Sequence, residues 1–307
     1  MSRDYLSVMD LSAGETREVL ALAMRLKGER SRSVGPRSLA GKTVAMLFEK
    51  PSLRTRVSIE VAIHELGGHP LYLGPDEVGL GKREAVGDVG RVLSSYVHMI
   101  VARVFKHRDL ETMARTSSVP VINALSDQEH PCQALADLLT LQERRGGLSD
   151  SHIAFIGDSS NNVAISLMLL AARLGVAVTL VGPPGYQPSA ESVERARREP
   201  GARISIASNV ADAELSHVDA IYTDVWVSMG HEHEAERHKR ALCEFQVDRT
   251  LLTLARPEAI FLHCLPAKRG EEVTDEVIDG PRSAVWDQAE NRLHAQKALL
   301  VWLTEQG

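Results

Sequence analysis

The apolar positions of this chain fall into short runs that end in glycine, proline or polar residues, and these alternate with stretches of helical period. The first clear run, residues 43–48 (TVAMLF), reads as a buried strand. A helix follows, with Val57, Val61 and residues 64–66 on compatible positions. Further strand-like runs stand at 99–105 and 119–123, and residues 131–144 read as an amphipathic helix carrying Leu135, Leu138, Leu139 and Leu141. Arg144-Arg145-Gly146-Gly147 breaks that helix, and a second series begins. It runs through a strand at 152–156, a helix at 162–174 and strands at 177–181, 204–207, 220–226 and 259–265, and closes on a helix at 293–303. Strands alternating with helices build a parallel sheet with helices on both faces. The two series predict an α/β protein of two doubly wound parallel-sheet domains, and a length of 307 residues fits that count.

Composition narrows the function. An apolar fraction of 44% with 25% charged residues is that of a globular chain rather than a disordered one. A formal net charge of −6 opposes a general affinity for DNA or RNA. No apolar run approaches the ~18–20 residues of a membrane span. Cys132, Cys243 and Cys264 lie far apart without a CxxC, which opposes a disulfide framework and a zinc ribbon. The start MSRDYLSVMDLS lacks the features of a secretory signal or transit peptide, so a cytoplasmic location is expected. No cofactor and no metal centre are expected.

Ligands of doubly wound sheets bind beyond the carboxyl ends of the strands, so the residues after each strand are the candidates for chemistry. After the first strand stands Glu49-Lys50-Pro51-Ser52-Leu53-Arg54-Thr55-Arg56. A helix start near Ser52 offers free N–H groups and partial positive charge to an anion, and Ser52, Arg54 and Thr55 add donors. The same pattern also describes an ordinary serine cap with solvated arginines. Arg103 sits inside an apolar run, where it must be paired in a salt bridge or face a ligand. His130-Pro131-Cys132-Gln133 opens a helix, with proline suited to the first turn and His130 and Gln133 able to point at a polar ligand. Gly157-Asp158-Ser159-Ser160-Asn161-Asn162 has the position of a dinucleotide fingerprint but lacks its second and third glycines. Asp224 ends a strand and leads into Ser228-Met229-Gly230, a carboxylate and a loop suited to a substrate ammonium. Cys264, in His263-Cys264-Leu265-Pro266, reads as nucleophile, ligand or buried filler. Arg292 reads as the start of the terminal helix.

Two apparent metal motifs are set aside. In His64-Glu65-Leu66-Gly67-Gly68-His69 the histidines are five apart, which turns them ~140° from each other on a helix. His231-Glu232-His233-Glu234, with Glu236 and His238, reads as a solvated charged loop.

Taken together, the order and spacing of these segments resemble the carbamoyltransferases, and within them the ornithine-specific branch. The resemblance runs from Leu6-Ser7-Val8-Met9-Asp10-Leu11 to Glu290-Asn291-Arg292-Leu293-His294. The family's Ser-x-Arg-Thr-Arg stands at residues 52–56, its His-Pro-x-Gln at 130–133, the ornithine loop Asp-x-x-x-Ser-Met-Gly at 224–230 and His-Cys-Leu-Pro at 263–266. The resemblance implies transfer of a carbamoyl group from carbamoyl phosphate to L-ornithine, giving citrulline and phosphate, as in arginine biosynthesis. It implies carbamoyl-phosphate binding by Ser52, the Leu53 amide, Arg54, Thr55, Arg103, His130, Gln133, Cys264, Leu265 and Arg292. Of these, Arg54, Arg103, His130, Gln133, Cys264 and Arg292 would serve catalysis. Ornithine would be held by Asn162, Asp224, Ser228 and Met229.

The resemblance also implies a carbamoyl-phosphate domain over residues 1–145, an ornithine domain over 146–288 with a cleft between them, and a C-terminal helix, 289–307, packing back on the first domain. It further implies a homotrimer or a multiple of trimers, with no nucleic-acid or membrane partner. Two positions depart from the commoner pattern: Leu53 stands where the family often has threonine, and Gly79 where many members have glutamine. The readings to separate from this one are a sibling transferase acting on putrescine or an acylated ornithine, an NAD-dependent oxidoreductase, and a non-catalytic protein that kept the fold.

Overall fold

The unbroken apolar runs become central strands, since a strand covered by helices on both faces needs apolar side chains on both. The computed structural model describes residues 3–30, 35–227 and 234–305, and the chain divides into two units. The first is Met1–Leu139 with Glu290–Gly307. It comprises α1 (Ala13–Arg30), β1 (Thr43–Phe48), α2 (Leu53–Glu65), β2 (His69–Leu73), α3 (Pro75–Val78), α4 (Val86–Tyr96), β3 (Met99–Arg103), α5 (His107–Thr116), β4 (Val121–Leu125) and the first part of α6 (Pro131–Arg145). Its four-stranded sheet has the order β2-β1-β3-β4 and is parallel throughout. The strand order reverses between β1 and β3, and that reversal is where a doubly wound sheet opens a ligand site. Phe48 at the end of β1 pairs with Arg103 at the end of β3. Ala45, Leu47, Ile100, Ala102, Leu110 and Met113 share one core cluster beneath this point.

The second unit, Thr140–Ala289, continues with β5 (His152–Ile156), α7 (Asn162–Leu174), β6 (Ala177–Val181), α8 (Ala190–Arg197), β7 (Arg203–Ala207), β8 (Ala220–Thr223), α9 (Ala235–Leu242), α10 (Arg249–Leu252), β9 (Ile260–His263) and α11 (Asp275–Ile278). Its five-stranded parallel sheet has the order β7-β6-β5-β8-β9. Here the order reverses between β5 and β8, so the loops after Ile156 and Thr223 flank the switch point. Gly182, just beyond β6, lets two loops meet: a Cβ there would lie 2.3 Å from the Gly157 carbonyl oxygen. Only glycine fits such an approach.

Helix α12 (Val285–Glu305) begins in the second unit and ends in the first. Within the first unit it packs on α1 and α2. Trp302 Nε1 donates to Glu18 Oε2 at 3.2 Å, Lys27 Nζ to Asn291 Oδ1 at 2.7 Å and Lys297 Nζ to Glu65 Oε2 at 2.7 Å.

The fold differs from the sequence-based expectation at several boundaries. Strand β3 stops at Arg103, two residues short of 105, so Arg103 ends the strand instead of lying within it. The run at 119–123 shifts to Val121–Leu125, and β8 and β9 end before Asp224 and Cys264. Strand β2 gave no strong signal because it carries Pro70 and lies half-exposed at the sheet edge, where proline is tolerated. Arg292 is not at a helix start. The helix begins at Val285, and Arg292 lies about two turns inside it. Gln288 and Asn291, polar residues ahead of the helix expected at 293–303, are buried and hydrogen-bonded, Gln288 Oε1 accepting from the His263 amide at 2.8 Å.

Candidate active site

The first unit gathers its polar groups at the β1/β3 switch point. Ser52 has extended backbone and caps α2, its Oγ accepting from the Thr55 amide at 3.3 Å. Residues 53–55 thus form the first turn of the helix, the end whose partial positive charge suits an anion. Thr55 is buried, and its Oγ1 accepts from Arg292 Nη2 at 2.9 Å. Arg292 Nη1 donates to Gln133 Oε1 and lies 3.3 Å from His130 Nε2. Gln133 Nε2 donates in turn to Asp137 Oδ1 at 2.8 Å.

Arg103 is 4% exposed. Its ladder with β4 slips one residue at Ala102/Arg103, an irregularity of the kind that re-aims a side chain. Lys50 stacks its ammonium 4.9 Å from the centre of the Phe105 ring, and burial followed by the charge of Arg103 pushes its pKa down. His130 is buried at the start of α6. Burial first, then the positive charges of Arg292, Arg103, Lys50 and Arg54, hold its imidazole well below the usual histidine range. The ring thus stands in a strongly positive surrounding, of the kind that clusters at functional sites.

The second unit builds a different group at the β5/β8 switch point. Asn161 caps α7, its Oδ1 accepting from the Val163 and Ala164 amides at 2.9 Å each, and its Nδ2 reaches Asp224 Oδ2 at 3.4 Å. Asn162 is the first residue of α7 and half-buried. Asp224 follows β8; its Oδ1 accepts from the Val225 amide at 2.8 Å and from Cys264 Sγ at 3.0 Å. Burial raises the Asp224 pKa, opposed by His263 and the Cys264 hydrogen bond. Leu265 adopts a left-handed φ of 57°, a conformation costly for a side-chain-bearing residue. His263 braces it: Nδ1 accepts from the Leu265 amide at 2.9 Å, leaving Nε2 to donate to the buried Glu272 Oε1 at 3.1 Å.

Asp224, His263 and Cys264 bring a carboxylate oxygen, a ring nitrogen and a thiol within 4.8 Å of one another, a set that can ligate a metal. Both nitrogens of His263 are already engaged, so ligation would break one of those bonds. Ser228 and Met229 lie outside the described residues, as do His231–His233 of the charged loop. Glu236 and His238, expected in that loop, lie instead in α9, and His238 Nδ1 bonds to the Trp226 carbonyl at 2.9 Å. His69 opens β2 instead of sharing a helix with His64, so no HExxH-like pair forms.

Residues 3–143 match the family model described as the carbamoyl-P binding domain of aspartate/ornithine carbamoyltransferase, and residues 149–303 match its Asp/Orn binding domain. The chain belongs to the aspartate/ornithine carbamoyltransferase family. An ornithine carbamoyltransferase of Methanocorpusculum labreanum is 49% identical to this family member, over the whole of both chains. The solved structure of the ornithine carbamoyltransferase of Pyrococcus furiosus superposes with a TM-score of 0.93 at 48% identity, covering 97% of this chain and 96% of that one. The anabolic ornithine carbamoyltransferase of Campylobacter jejuni gives a TM-score of 0.93 at 39% identity, covering 99% of this chain and 100% of that one.

Both departures of this carbamoyltransferase from the commoner family pattern have a structural face. Leu53 is 74% exposed, and its amide lies in the first turn of α2. Gly79 caps α3 with a φ of 54°, and a Cβ there would meet Arg83 Cβ at 2.8 Å. Sequence reading passed over Lys50, Asn161 and Glu272. Lys50 and Asn161 adjoin residues that were singled out, and their signal was adjacency to a strand end. Glu272 carries no sequence signal, because its tie to His263 is made by the fold.

Proposed function

We propose that the chain transfers the carbamoyl group of carbamoyl phosphate to the δ-amine of L-ornithine, giving citrulline and phosphate in the biosynthetic direction. The observation that carries this is the buried His130, at the start of α6, set among Arg54, Arg103, Arg292 and Lys50 near the Ser52-capped start of α2. The neutral amine attacks the carbamoyl carbon, a tetrahedral species forms, and the C–O bond to phosphate breaks as the amine passes a proton to the departing phosphate. No enzyme-bound acyl group is formed.

Ser52, the Leu53 amide, Arg54 and Thr55 hold the phosphate in this scheme. Arg103 and Arg292 offset the charge that grows on the leaving group. His130 and Gln133 orient and polarise the carbamoyl oxygen. An uncharged imidazole suits that role, since it can donate a hydrogen bond without adding another cation. In the second unit Asp224 and Asn162, with Ser228 and Met229, hold the amino-acid end of ornithine. Cys264 and Leu265 stand by the attacking amine and the carbamoyl group.

A homotrimer or a multiple of trimers accompanies this reading. Its support is apolar surface around the edge strand of the first sheet, where Leu53, Val57 and Leu71 are exposed. A cytoplasmic location also accompanies it; among the described residues no helix is long and apolar enough to cross a membrane. The deciding experiment is a colorimetric citrulline assay with carbamoyl phosphate and ornithine, repeated with putrescine and N-acetylornithine. Ureido product from ornithine alone is expected. Product mainly from either of the other amines would move the chain to a sibling activity.

A further inference from the structure

Arg292 and Gln296 lie four residues apart on α12, one turn above the other on one face. Gln296 is 2% exposed. It lines a small cavity whose other walls are apolar, among them Ile59, Val101, Ile122, Leu299 and Leu300. Its amide therefore looks for partners on one side only. With oxygen and nitrogen assigned so that donors meet acceptors, the amide oxygen accepts from Arg292 Nη2 at 3.1 Å and Nε at 3.3 Å. The amide nitrogen donates to the Arg292 carbonyl at 3.1 Å and to Ser58 Oγ at 2.6 Å. Gln296 thus grips one edge of the guanidinium, while Nη1 on the opposite side meets Gln133 and His130.

A guanidinium is a rigid plane with its N–H groups in a fixed fork. Holding its Nε–Nη2 edge sets where Nη1 points. Water is a poor substitute for the amide here, because the cavity behind it offers no polar partners. The choice of a neutral clamp also matters. A carboxylate would bind the same edge more tightly but would cancel the charge that Arg292 presents to an anion.

We propose that Gln296 is the positioning residue for Arg292, clamping its Nε–Nη2 edge so that Nη1 is aimed at His130 and Gln133 with the positive charge left uncancelled. The assignment rests on the carbamoyl-transfer reading above. It is tested by steady-state citrulline kinetics on Gln296→Met, Gln296→Glu, Arg292→Gln and the double variant Gln296→Met with Arg292→Gln, each checked for fold by circular dichroism. Gln296→Met should lower kcat about tenfold or more while KM for ornithine stays within about twofold. In the Arg292→Gln background the same change should remove less than about a further twofold, because its target is gone. Gln296→Glu should raise KM for carbamoyl phosphate about tenfold.

Wild-type kcat in folded Gln296→Met, or full additivity in the double variant, overturns the clamp. Should Gln296→Met not fold, an unchanged KM for carbamoyl phosphate in Gln296→Glu overturns it. A wild-type chain that forms no citrulline defeats the transfer reading itself. The clamp is then judged on inorganic phosphate by calorimetry: weaker binding by Gln296→Glu supports it, and equal binding overturns it.

Discussion

His130 is the residue on which most of the charge arrangement converges. It is buried and kept neutral by Arg292, Arg103, Lys50 and Arg54 in addition to burial itself. Removing one donor to a developing oxyanion costs about 3 kcal/mol of barrier, so His130→Ala should lower turnover by about two decades or more with its circular dichroism unchanged. A rate near wild type would remove His130 from the scheme.

The same burial has a consequence for stability. Below about pH 6.5 the unfolded chain takes up a proton at this imidazole and the folded chain does not, so stability falls as pH drops through and below that value. Thermal melts from pH 7.5 down to 5 should show this loss, with a shallower slope in His130→Asn. Because His130 does not charge near neutrality, the pH dependence of the rate should follow ornithine, whose δ-amine resembles a lysine of reference pKa ~10.4. Turnover or apparent affinity should therefore rise through the mildly alkaline range in a pH–rate series, and a flat profile would count against a free amine as the attacking group. Arg54 and His130 stand out in the sequence because each follows a strand, and Arg103 because it closes an apolar run, whereas Arg292 lies two turns inside α12 and not at the helix start expected of it. Gln296 and Glu272 act through a hydrogen bond to another side chain, which spacing along the chain does not encode.

At the scale of elements, caps and switch points do most of the positioning. The strands β1, β3, β5, β6, β8 and β9 were legible as runs of consecutive apolar residues, because helices cover both faces of each sheet. The terminal helix was misplaced at its start, because Gln288 and Asn291 are polar residues spent on burial and hydrogen bonds instead of on solvent. The α3 cap shows the reverse case, a departure from a family pattern that the backbone explains. Gly79 holds φ at 54° with Arg83 Cβ against it, so Gly79→Gln should strain the turn by about 1–2 kcal/mol. Hydrogen exchange by mass spectrometry should then show faster exchange in the peptide spanning residues 79–84, where the Arg83 amide donates to the Gly79 carbonyl at 2.8 Å. Unchanged exchange would mean that the loop re-forms around the new side chain.

For the whole molecule, the family assignment leads to a claim about assembly. Leu53, Val57 and Leu71 leave apolar surface on the first unit. If that surface is the subunit contact, sedimentation should give a mass near three times the 33.6 kDa chain or a multiple of it. Val57→Glu with Leu71→Glu should shift the population toward monomer, and a double variant of unchanged mass would place the contact elsewhere.

The route of the chain through the first unit sets a limit of another kind. Residues up to Leu139 supply the strands, the α2 cap, His130 and Gln133, but Arg292 and Gln296 arrive only with α12, after the entire second unit has been made. On the ribosome, therefore, the first unit can close its sheet long before it can gather its full set of cations. A nascent chain, or one cut short before residue 292, would have the cradle for an anion without the arginine that completes it.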